Sequence, residues 1–385
     1  MLGLVGGSWT AESAVNPSKL PARLAVSTGQ QFYVDGEKGS DSNRGTLRAP
    51  WRTIGRAWRS VPAGAVITVR KGTYRDGVAL TGRSAPPSKP ITLRAFPGET
   101  VTLRNDETRR AAVYIEDVGG LRVRGFNVTN PTGDGIKVTN SANVELFGNA
   151  VYETGGQAIL VVGSGSAGRT TSSNIQLWAN RIHANGGPSS SLNHGIYYGA
   201  SSDASDGGTR RGTIGGVIAN NIVFDQRTGY LLQIGPQAEG VVITNNTLTG
   251  ARSSDPHTGS AIRVWGNGGP FATKNVVVVN NAIAFNSNKA LHVTDDVLPA
   301  VEIHHNLGFG NAGGDFPSGQ LNLTSLDPAF TSSPEANFRP RPGSPLIGRA
   351  DPAYAPSTDA SGAARRGAPD IGALEYTGAK LASRG

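Results

Sequence analysis

The feature that most constrains this chain is a cassette that recurs through its middle. It consists of a short alternating apolar run, an Asn, a second apolar run, a Gly-rich bend and a third run. It reads N-V-E-L-F-G-N-A-V-Y…A-I-L-V-V at 143–162 and N-I-Q-L-W-A-N-R-I…H-G-I-Y-Y at 174–198. It returns as V-V-I-T-N-N-T-L…A-I-R-V at 241–264 and V-V-V-V-N-N-A-I…A-L-H-V at 276–293. Three short runs per copy, repeated every few tens of residues, define a β-solenoid with three strands per turn. Aligning the copies puts Asn149, Asn180, Asn221, Asn246, Asn281 and Asn306 at one bend. An Asn there tolerates the bend and stacks its amide on the Asn of the next turn. The turn at 121–128 carries Phe126 in that place, so the ladder is expected to start one turn later. The intervals are unequal, which is expected where loops are inserted at bends rather than in strands.

Composition fits one long array. The 385 residues include 53 Gly and no Cys, which removes disulfides, thiol catalysis and thiolate metal sites. No apolar run is long enough to span a bilayer, so no membrane role is expected. The net charge of +8 favours a polyanionic partner. The 36 Lys and Arg are scattered and form no basic run interleaved with aromatics, which argues against nucleic acid and for an acidic polysaccharide. Residues 1–30 read as a flexible lead-in or the remnant of a targeting segment, with Leu2–Gly7 apolar but lacking a basic leader.

Two end segments carry a family resemblance. F-Y-V-D-G-E-K-G-S-D-S-N-R-G-T-L-R-A-P-W-R-T-I-G-R-A-W at 32–58 and A-V-I-T-V-R-K-G-T-Y at 65–74 resemble the entry segment of secreted right-handed parallel β-helix proteins of the pectate-lyase superfamily. S-P-L-I-G-R-A at 344–350 and G-A-P-D-I-G-A-L-E-Y at 367–376 resemble their closing segment. With the repeats, the resemblance covers 32–376 and implies an all-β, single-domain, right-handed parallel β-helix of three sheets, secreted. Residues 31–376 are taken as that domain, with turns at about 62–310, a closing segment at 311–376 and a tail at 377–385. Ile54, Ala57, Trp58 and Val61 recur at helical spacing, which predicts a short amphipathic capping helix near 51–61.

The resemblance also implies that the strand after the Gly-rich bend belongs to the first sheet, whose outer face bears substrate in the enzymes of this superfamily. Strand alternation then stacks Tyr114, Lys137, Leu160, Tyr197, Gln233, Arg263 and His292 outward on successive turns. Two residues on lie Glu116, Thr139, Val162, Gly199, Gly235, Trp265 and Thr294. Loops 184–194, 200–212 and 250–260 flank this stretch, where binding and catalysis usually sit. A lyase acting on a uronate must neutralise the carboxylate, take the C5 proton and return one to the leaving oxygen. Arg263 or Lys137 suits the first task, and His194 with Tyr197 suits base and acid. His257 is an alternative base, because D-P-H at 255–257 resembles the D-P-H motif of alginate epimerases, here on a loop and without the rest of that pattern. Gln233, Trp265, His292 and Tyr114 are expected to contact substrate. His183, His304 and His305 lie by the strands next to the Asn bend and read as structural.

Each candidate has a plainer role as well: a packing aromatic for Tyr197, a solvated cation for Arg263 and Lys137, a strand-entry cap for His194. No metal site is assigned. Calcium stays open as a neutraliser, although Asp203, Asp206, Asp225, Asp295 and Asp296 form no calcium-loop motif. The expected activity is β-elimination on an acidic polysaccharide. Hydrolysis, epimerisation and non-catalytic glycan adhesion are the alternatives, and hydrolysis needs two carboxylates across the groove where the stack supplies only Glu116. Oligomeric state is left open.

Overall fold

The computed structural model describes residues 29–106, 111–164, 171–187, 193–201, 211–253, 255, 258–266, 271–316 and 321–378. The lead-in up to residue 28, His257, parts of the three inserted loops and most of the tail lie outside the described residues.

Three sheets of parallel strands wind around one apolar core. The first sheet has eight strands, from Val78–Thr81 to Leu291–Val293. The second has eleven, starting at Gln31–Val34 and reaching Val301–His304. The third has ten, from Gly72–Tyr74 to Leu323–Thr324. A regular turn contributes one strand to each sheet, so a residue's partners come from the turns before and after it. The stacking is longer than the repeat pattern suggests. The F-Y-V segment at 32–34 already pairs with Val66–Val69, and the last third-sheet strand lies at 323–324.

Short helix α1 (Ile54–Ser60) is started by Thr53, whose side chain accepts the Arg56 N–H. It buries Ile54, Ala57 and Trp58 and packs against the strands Gln31–Val34, Val66–Val69 and Val78–Thr81, which begin the second and first sheets. The C-terminal segment forms one antiparallel pair, Phe330–Ser332 with Asn337–Pro340. It lays Phe330, Phe338, Leu346 and Ile371 over Ile222, Ala282 and Leu307 on the third-sheet side.

The ladder runs from Asn149 to Asn306, and Asn322 extends it by one more step. Each Nδ2 donates to the Oδ1 of the next Asn, at 3.1, 3.0, 3.0, 2.9, 2.9 and 3.0 Å in order. The same Oδ1 also accepts the preceding ladder residue's backbone N–H, as Asn246 does for Asn221. Phe126 holds the ladder position one turn earlier, buried, with its N–H donating to Asn149 Oδ1 at 3.1 Å. The left-handed residue at this bend is the one before the Asn, not the Asn itself. Gly148, Ala179, Asn220, Asn245, Asn280 and His305 have φ of 61°, 52°, 56°, 51°, 60° and 52°. The ladder Asn is therefore selected for its amide, and its neighbour for tolerating the bend.

Candidate active site on the first sheet

Strand pairing places Ala79, Tyr114, Lys137, Leu160, Tyr197, Gln233, Arg263 and His292 in register on successive first-sheet strands. Alternation explains the column: Ile196, Leu232, Ile262 and Leu291 bury the neighbouring positions in the core, so each residue after them faces out. Adjacent members are about 4.8 Å apart along the axis. Lys137 and Arg263 are four turns apart, roughly 19 Å, so they cannot act on the same sugar ring. Lys137 instead stands 6.0 Å from the Tyr114 ring centroid, an aromatic–cation pair toward the N-terminal end.

Arg263 sits between two aromatic rings. Its guanidinium lies 5.1 Å from the Trp265 ring and 5.4 Å from the Tyr230 ring, and Nη1 donates to Tyr230 Oη at 3.2 Å. Among the described residues no carboxylate pairs with it. Its Nε, Trp265 Nε1 and Gln233 Oε1 are buried without hydrogen-bond partners among the described residues. Three unsatisfied polar atoms on neighbouring positions are costly unless something outside the fold completes them. Gln233 faces outward in register yet is only 4 % exposed.

His194 and Tyr197 take different places from those a base and an acid need. The His194 ring is 2 % exposed, and its Nδ1 accepts the Tyr230 backbone N–H at 3.1 Å. Burial, then Arg263, lowers its pKa to about 3, so the ring is neutral. It belongs to a polar column at the entry to the first sheet. There Asp134 Oδ1 accepts the Gln157 N–H, Gln157 Oε1 accepts the His194 N–H, and His194 accepts that of Tyr230. The strand-entry cap is therefore the role that this geometry fits. The Tyr197 ring stacks on His194 at 6.0 Å, and its hydroxyl donates to Ala200 O at 2.8 Å, so its proton is already engaged. Burial raises its pKa. Gly235 makes room for that ring, since a Cβ there would fall 2.3 Å from the Tyr197 hydroxyl.

His292 stands one turn beyond Arg263. It is half-buried beside a cavity of about 340 Å³ that Lys289, Asp295 and Phe316 also line. Burial, then Arg263 and Lys289, lowers its pKa below the ordinary value of 6.5 and keeps the imidazole neutral. Tyr230 was not singled out by the sequence reading. Its signal was available: it stands two residues before Leu232, as His194 stands two before Ile196, and so lines the same column. Trp265 and Tyr114 lie on the outward face as expected.

Calcium would need several carboxylates converging on one point. Among the described residues the first-sheet face brings no three acidic or histidine ligands together. His304, His305 and Asp351 do converge, at the end of the second-sheet strand Val301–His304. His183 stacks between Tyr152 and Phe224 on the third sheet, at 5.3 and 4.8 Å, consistent with a structural role.

A family profile described as "Right handed beta helix region" matches residues 74–324, and a second, "Protein of unknown function (DUF1565)", matches 37–81. The chain belongs to the right-handed β-helix family. It is similar to Uncharacterized protein YwoF of Bacillus subtilis, 30% identical over 128 residues that make up 30% of this chain and 27% of the relative. It is also similar to Pectate lyase PEL9 of Emericella nidulans, 37% identical over 89 residues, 23% of this chain and 20% of the relative. The matched segments thus span about a quarter of either curated relative. Among solved structures, pectate lyase Pel9A superposes with a TM-score of 0.63 at 16% identity, covering 92% of this chain and 98% of that one. An alginate lyase from Paenibacillus sp. str. FPU-7 gives 0.56 at 14%, covering 77% and 99%. These structural likenesses concern the fold.

Proposed function

We propose that the protein is a secreted polysaccharide lyase that cleaves a uronate-containing polymer by β-elimination on the outer face of the first sheet. The observation that carries the reading is Arg263, framed by the rings of Tyr230 and Trp265 and unpaired with any carboxylate among the described residues. A fixed cation in such a frame binds a uronate carboxylate, and Trp265 offers a plane to the sugar face. Neutralising the carboxylate makes the C5 proton acidic and stabilises the enolate-like charge that follows its removal.

His292, neutral and one turn away, takes that proton. The electron pair forms the C4–C5 double bond, the C4–O4 bond breaks, and the proton held by His292 returns to the departing oxygen. Lys137 and Tyr114 then contact sugars further along the same chain. The likeness to proteins named as pectate and alginate lyases supports this class of activity. The same reading takes α1 as the closure of the N-terminal end of the core.

Ultraviolet absorbance during incubation with pectate, alginate, glucuronan, hyaluronan and chondroitin tests the proposal. Absorbance of the unsaturated sugar rises on at least one polymer, and Arg263→Ala lowers the rate about 10²–10³-fold while leaving the fold intact. No rise on any polymer, or an Arg263→Ala variant as fast as the parent, overturns it.

A further inference from the structure

We infer that the protein carries a divalent transition-metal site, of the kind zinc occupies, formed by His304 Nδ1, His305 Nδ1 and an Asp351 carboxylate oxygen. One ligand atom from each of the three residues lies within 4.8 Å of the other two. His304 Nδ1 and His305 Nδ1 share a hydrogen bond of 2.8 Å, which an ion would replace, and His304 Nδ1 lies 3.8 Å from Asp351 Oδ2. Ligand atoms around tetrahedral zinc, with bonds near 2.0–2.1 Å, stand about 3.3 Å apart. The two observed separations bracket that value, so small side-chain rotations make room for the ion. Two imidazoles and a carboxylate are a donor set suited to zinc and its neighbours rather than to calcium.

Independent observations point the same way. His304 Nε2 is 2.9 Å from Glu302 Oε1, the carboxylate–imidazole arrangement that fixes the ring and leaves Nδ1 for a metal. His305 has φ 52°, in the left-handed position that Asn220, Asn245 and Asn280 occupy on the three preceding turns. Asp351 is held in place without any ion, because its N–H donates to Asn280 Oδ1 at 2.7 Å and its carbonyl accepts from Asn280 Nδ2 at 2.9 Å. The His304 side chain is 13 % exposed and that of Asp351 23 %, so an ion can enter and is still largely enclosed.

The site would join the last second-sheet strand to the C-terminal segment, where the Tyr354 ring already packs 5.4 Å from that of His304. Its role is to clip that segment to the solenoid, and it makes no contact with the first-sheet groove.

The test is zinc chloride titrated into chelator-treated full-length protein, followed by calorimetry, elemental analysis and thermal melting. The parent takes up about one zinc per chain and melts at a higher temperature with zinc. His305→Asn, which places the residue of three other turns at the same bend and therefore folds, loses zinc binding about 100-fold or more, and Glu302→Gln about 10–100-fold. Absence of saturable uptake by the parent, or uptake unchanged in His305→Asn, overturns the site.

Discussion

At the scale of single residues, the first sheet separates groups that hold the fold from groups free to act. His194 shows the first kind. Its pKa of about 3 in the folded protein lies below the ordinary 6.5 of the unfolded chain. Between these values the unfolded chain binds a proton that the folded chain refuses, so stability falls as pH drops from 6.5 toward 3 and is unaffected by this group above 6.5. His194→Gln keeps an acceptor for the Tyr230 N–H, as Gln157 does one turn earlier for His194. Urea melts across this range should show the variant losing stability less steeply, by about one proton per molecule. An identical slope in both proteins would contradict a buried neutral imidazole. Arg263 shows the second kind, and its position was legible in the sequence. A-I-R-V fixes which side of the strand it faces, because the alternation between core and surface has a period of two. What His194 does was not legible, because its acceptor role depends on a backbone N–H contributed 36 residues later.

Besides the column at the entry to the first sheet, two columns of polar groups flank the third sheet. The Asn ladder could be read from the sequence because one residue type recurs at one place. Asn246 donates to Ile218 O at 2.8 Å and Asn281 Oδ1 at 2.9 Å, and accepts from the backbone and side chain of Asn221. Asn246→Ala leaves the Asn221 backbone N–H and one hydrogen of its buried amide without their acceptor, and removes a bond to the Ile218 carbonyl. It should cost about 2–4 kcal/mol, measured by denaturant unfolding. A loss below about 0.5 kcal/mol would mean that the ladder is a consequence of the stacking and not a support for it. A second column at the exit of the third sheet escaped the sequence reading. There Asn185 Oδ1 accepts from Thr154 N, and Asn286 Nδ2 donates to Asn311 Oδ1 at 2.7 Å. Its positions are filled by Asn130, Thr154, Asn185, Gln226, Ala251, Asn286 and Asn311, and so mixed a set gives no repeat to detect. The left-handed residue before each member, such as Ala184, Asp225 or Phe285, is equally varied.

For the whole molecule, the solenoid converts a linear sequence into a linear groove. A polymer lying along the axis meets a new column member every 4.8 Å or so, which suits repeated recognition of similar sugars better than capture of one small ligand. The rings and cations of Tyr114, Lys137, Tyr197, Arg263, Trp265 and His292 therefore read as a track, with the proposed chemistry where Arg263 and His292 adjoin. The end segments and the repeats were enough to define this architecture from sequence. The role proposed for His292 was not defined there, because its burial and the charges of Arg263 and Lys289 around it come together only in the folded turns. The most direct measurement is the mass of any oligosaccharides released when uronate polymers are incubated with the protein. The account predicts fragments whose new non-reducing ends are lighter by one water than the corresponding hydrolysis products. Fragments that carry that water would contradict elimination and make the groove that of a hydrolase.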